Sequence, residues 1–104
     1  MAAFKSTATR NLGTADTVIH LATTGTVVIG LSASNIFGSE LPIDVWHRRG
    51  SDDTKILQQV RVGPGQTEEL MRGNKIVLEA GDELMASTAE DNGFDILVSV
   101  LESV

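Results

Sequence analysis

Cysteine and tyrosine are absent from these 104 residues, and tryptophan, proline and histidine are scarce at one, two and two. Without cysteine there is no disulfide, no thiolate nucleophile and no zinc–sulfur site, which fits a reducing compartment and leaves stability to packing or to partners. One tryptophan and three phenylalanines are thin material for an aromatic-lined groove. Basic residues number eight against fourteen acidic ones, a net charge of -6. An acidic surface repels phosphate backbones, so no nucleic-acid partner is expected. No apolar run is long enough to span a bilayer, and the stretch Met1 to Gly13 lacks the apolar segment of a signal peptide, so neither membrane attachment nor export is expected.

The motifs of catalysis are missing as well. There is no glycine-rich phosphate loop, no G-x-S-x-G elbow and no H-E-x-x-H pair. His20 and His47 have no carboxylate or hydroxyl at a spacing that defines a catalytic set, and both read as structural residues. Acidic residues cluster at Asp52-Asp53, Asp82-Glu83 and Glu90-Asp91 with Asp95. Asp91-Asn92-Gly93-Phe94-Asp95 has a few calcium-loop residue types without the twelve-residue loop, so these groups read as solvated turns. The expectation is a protein that is not an enzyme, with no catalytic residues, no cofactor and no metal.

What is present is the composition of a folded domain, 41% apolar and 21% charged. At this length one core forms, burying about two-thirds of the surface an unfolded chain exposes. Short runs with a period of two dominate. Strands are expected over Thr17–Leu21, over Thr26–Asn35 with Val27, Ile29, Leu31 and Ala33 on one face, over Ile43–Arg48, and over Thr54–Val62. The loop RRGSDD joins the last two, and Gly63-Pro64-Gly65 begins a crossing segment ahead of a brief strand near Thr67. The final third, Gly73 to Val100, reads as a meander: Ile76–Leu78, Leu84–Ala86 and Ile96–Leu101, divided by Gly81-Asp82 and Asn92-Gly93. The fold expected is all-β, a single small antiparallel β-sandwich or flattened barrel of about seven or eight short strands. Residues 1-13 form an extended N-terminal arm or edge strand, and residues 14-104 the β-sandwich domain.

Four residues stand out as interface candidates. Trp46 alternates with Asp44 and Arg48, and a large ring among polar neighbours is a common anchor. Phe4 and Phe37, with Phe94, fall outside the expected strands, and Gln58 falls on the inward face of its strand, which signals a bulge or an intersubunit hydrogen bond. An extended arm can also add its hydrogen bonds to a neighbour's sheet edge. A homo-oligomer follows.

From about Val27 onward the chain resembles the small β-sandwich structural proteins of tailed bacteriophage virions. The residues that carry the likeness are Lys75 to Leu78, the Gly81-Asp82 turn, Leu84 to Ala89 and Asp95 to Glu102, with Ile36, Ile43 to Arg48 and Pro64-Gly65 before them. The resemblance implies a non-enzymatic virion component in many copies on the capsid, as capsid decoration, or at the neck or tail, partnered by other phage virion proteins and assembled in the host cytoplasm. The alternative is a carbohydrate-binding or other β-sandwich recognition module.

Overall fold

The computed structural model describes residues 2–103; Met1 and Val104, the outer ends of the expected arm and domain, lie outside the described residues. Nine strands follow in order: β1 (Ala3–Leu12), β2 (Thr17–Leu21), β3 (Thr26–Asn35), β4 (Leu41–Arg49), β5 (Asp52–Val62), β6 (Thr67–Glu69), β7 (Ile76–Leu78), β8 (Glu83–Thr88) and β9 (Phe94–Glu102). Among the described residues there is no helix long and apolar enough to cross a membrane. One sheet has the order β1-β9-β3-β6, with β7 also paired to β3, and the other has the order β2-β8-β4-β5. Every pairing is antiparallel. The fold is a small antiparallel β-sandwich.

The expected meander does not form. β7 pairs with β3 in the first sheet, β8 pairs with β2 and β4 in the second, and β9 returns to the first between β1 and β3. The Gly81-Asp82 and Asn92-Gly93 turns therefore carry the chain from one sheet to the other. Their chemistry is as the sequence suggests, with Gly81 at φ 94 and Asn92 at φ 56. A local reversal satisfies either route equally, and only the long-range partner selects one. β4 and β5 do make a hairpin, tighter than RRGSDD implied: Arg49 faces Asp52 across Gly50 and Ser51.

The core lies between the sheets, and Phe94, Ile19, Leu31, Ile43, Leu78 and Leu84 are among its fully buried side chains. Phe94 corrects the expectation of a loop aromatic. It opens β9, paired with Leu12 on one side and Asn35 on the other. In β3 the expected alternation breaks at Ile29, where the register with β9 slips between Val28 and Gly30. The extra residue reverses the parity, so Val28, Leu31 and Ala33 are buried while Ile29 is exposed.

One hydrogen bond joins the sheets at their β1 and β2 edges: Thr7 Oγ1 lies 2.9 Å from His20 Nδ1. His20 is 5% exposed and its Nε2 has no partner. Burial pushes the imidazole below its ordinary 6.5, with the Glu102 charge opposing. The unfolded chain then takes up a proton at a higher pH than the folded one. His20's contribution is present above about pH 6.5 and is lost as pH falls towards its folded value. We expect the urea midpoint to drop between about pH 7.5 and about pH 5.5 and His20→Gln to flatten that drop. An equal drop in the variant would assign the acid sensitivity elsewhere.

Candidate assembly interface

A sandwich has open sheet edges, and each exposes backbone groups that a second chain can pair with unless something blocks it. Three of the edges here are blocked. β5 is irregular on both sides of Val45, and the Asp44 carboxylate fills the wider bulge, accepting from Gln59 N at 2.8 Å with Gln59 at φ 54. β2 has 5 residues and slips between Val18 and His20. On the flank of β3, two three-residue strands share the edge, and the Glu69 carboxylate bridges the gap between them by accepting from Leu31 N and Arg72 N, each at 2.7 Å.

β1 is different. It pairs with β9 in unbroken register from Ala3↔Glu102 to Thr9↔Ile96. Among the described residues, no other hydrogen bond reaches the backbone of residues 3–10. Its irregularity comes only at Asn11, φ 58, whose N–H donates to Asp95 Oδ1 at 3.1 Å. Thr14 donates through N and Oγ1 to Asp91 Oδ1 at 3.2 and 3.3 Å. The acidic groups with calcium-loop character thus tie the β1–β2 connection to the turn before β9. No group of three or more His, Asp or Glu among the described residues could hold a metal ion.

The four interface candidates are scattered. Phe4, at 76% exposure, stands on β1, and Phe37 is half-buried against the core beyond β3. Gln58 is exposed, not inward, because β5 is bulged at that point. Trp46 is 3% exposed on the outer side of the second sheet, beside Met85 and beneath Lys55, whose Nζ lies 4.5 Å from the ring centroid. A sugar platform needs an open ring face, and this one is covered.

The residues that sequence reasoning missed gather at Asp82. This side chain is 3% exposed and accepts Arg49 Nε at 2.9 Å, Arg49 Nη2 at 2.8 Å, His47 Nε2 at 2.9 Å and Glu79 N at 2.8 Å. The paired Arg49 guanidinium holds the carboxyl far below its usual range; His47 and the Glu79 amide act in the same direction, and burial opposes them. The same turn bonds Gly81 N to Ala22 O at 2.7 Å and Ala22 N to Asp82 O at 2.9 Å. Asp82 lies 33 residues from Arg49 in sequence, so no local spacing announces the set. Both histidines serve the fold, one beneath Thr7 and one against Asp82. The chemistry here is structural, not catalytic.

These features describe a small antiparallel β-sandwich with one regular edge open among the described residues. No protein-family model and no curated protein sequence matches the chain. Among solved structures it is similar to a chain from the work titled "Bacillus endospore appendages form a novel family of disulfide-linked pili", with a TM-score of 0.60 at 9% identity, covering 99% of this chain and 88% of that one. This corrects the resemblance to tailed-bacteriophage virion proteins. The likeness rested on short strands and turns from Ile36 to Glu102, such as the Gly81-Asp82 turn and the final strand, that any sandwich of this kind can carry, whereas the whole-chain match is to a bacterial pilus protein. Placement on a capsid, neck or tail and assembly in a host cytoplasm fall with it.

Proposed function

We propose that this chain is a structural subunit that polymerises with its own copies into a bacterial surface filament. The observation that carries the reading is the match of the whole sandwich to a protein of disulfide-linked pili. The regular open edge of β1 supports it, because main-chain pairing along seven residues gives a specific joint between copies. Pairing of β1 with β1 of a second copy joins copies in twos, and a further contact elsewhere on each copy is what extends the pairs into a fibre. With no cysteine in the sequence, disulfides cannot be among these joints, unlike those named for the pili.

Electron microscopy of the purified full chain across salt and pH is the test. Filaments are expected that ignore reductant and dissolve in denaturant, with the outward-pointing amides of β1, those not bonded to β9, protected from hydrogen exchange in the filament and free in the dispersed chain. A chain that stays dispersed in every condition, with those outward amides always exchanging, would sink the proposal.

A further inference from the structure

The outward face of the β1-β9-β3 sheet carries a second contact surface. Three pairings line up across it, Phe4↔Leu101, Leu101↔Val27 and Val27↔Val77, and so set four apolar side chains in one row. Phe4 is 76% and Val77 66% exposed, and the bulge turns Ile29 out beside them at 40%. The next row is low: Ser6 pairs with Ser99, and Ser99 with Gly30. Leu97, 44% exposed, rises again in the row after that, opposite Ala8 and Ser32.

Charge is nearly missing from this face. Glu69 and Asp95 stand on it with both carboxylates engaged by backbone N–H groups, and Arg10, next after Ala8 in the outward alternation of β1, stands exposed at its far corner. Copies that each carry a net charge of -6 repel one another, and they approach most easily through a face whose carboxylates are held and whose exposed Arg10 is positive. The other sheet, by contrast, turns Asp44, Arg48, Lys55 and Glu83 towards solvent.

We infer that this face packs against the same face of a second copy, forming a two-fold dimer. Under a two-fold axis the raised row of each copy meets the low Ser6, Ser99 and Gly30 row of the other, and every contact occurs twice. The area suffices. β9 has 9 residues, about 30 Å at the strand rise, and four strand positions add about 19 Å of width. Two such faces remove roughly 1,000 Å² from water, the level at which a specific interface holds. This pairing closes on itself and does not depend on the filament reading, which uses the β1 edge instead.

Sedimentation velocity over a concentration series, in conditions free of filaments, tests it on the full chain and on Phe4→Glu, Val77→Glu, their double variant, and Leu21→Glu as a control on an exposed apolar residue of the other sheet. Each single change on the face is expected to weaken the dimer at least about tenfold and the double change to leave monomers, while Leu21→Glu changes nothing. Circular dichroism confirms that the variants remain folded. A wild-type chain that is monomeric throughout, a dimer that survives the double change, or one lost equally in Leu21→Glu overturns the inference. Filaments without the dimer would refute this pairing alone, and the dimer without filaments would leave it standing.

Discussion

Asp82→Ala is expected to cost about 3 kcal/mol, the low end of the range for breaking a buried ion pair, because one of its partners can turn to water. The half-exposed Arg49 can be solvated again, but His47 and the Glu79 amide lose an acceptor where little water reaches. For a domain of this size the melting temperature should fall by about 12 to 24 °C. Asp82→Asn keeps the volume and one acceptor oxygen, and should lie between wild type and alanine. The pH dependence follows from the lowered pKa. The stabilisation is present in full above the ordinary carboxylate value of 3.8 and is lost as pH falls from there towards the folded value. Asp82→Ala should therefore show a flatter stability curve below about pH 4 than wild type. A loss below about 1 kcal/mol at neutral pH would place this group among ordinary surface pairs and remove its role as a pin.

Phe94→Ala is expected to cost about 3 to 5 kcal/mol, the range for emptying a buried aromatic site. The ring is 0% exposed and begins β9, the central strand between β1 and β3. Collapse into the space is resisted by the turn before it. Gly93 donates to Leu12 O at 2.8 Å and accepts from Ile36 N at 2.9 Å, and a Cβ on Gly93 would meet Thr88 Cγ2 at 2.8 Å and Leu41 Cδ1 at 2.9 Å. The backbone there has no room to shift. Denaturant titration should show a lower midpoint with an unchanged slope, and Phe94→Leu should recover most of the difference. A cost near that of a surface substitution, within about 0.5 kcal/mol, would mean the ring is not central to the core.

Assembly makes a different demand on the same residues. The features that stabilise one copy also decide which surfaces are left for others. Asp44 in the β5 bulge and Glu69 between β6 and β7 close two edges, while β1 stays regular and open. The Ile29 bulge adds an apolar side chain to a face already low in charge.

By itself, the sequence determined the class of the fold and roughly where most of its strands lie. Alternating apolar residues from Thr26 to Asn35 and from Ile43 to Arg48, with breaks at Gly63-Pro64-Gly65 and Asn92-Gly93, admit short antiparallel strands and little else, since period two and turn chemistry are local properties. The missing cysteine likewise excluded disulfides and zinc–sulfur sites. Only the tertiary structure decided which sheet each strand joins, which side of β3 and β5 faces inward, and which acidic turn is buried. A turn reverses the chain without naming its partner, and one bulged residue at Ile29 inverts the parity of everything after it. Asp82 looks like any acidic turn residue until β4, pairing beside β8 in the same sheet, brings Arg49 and His47 against it.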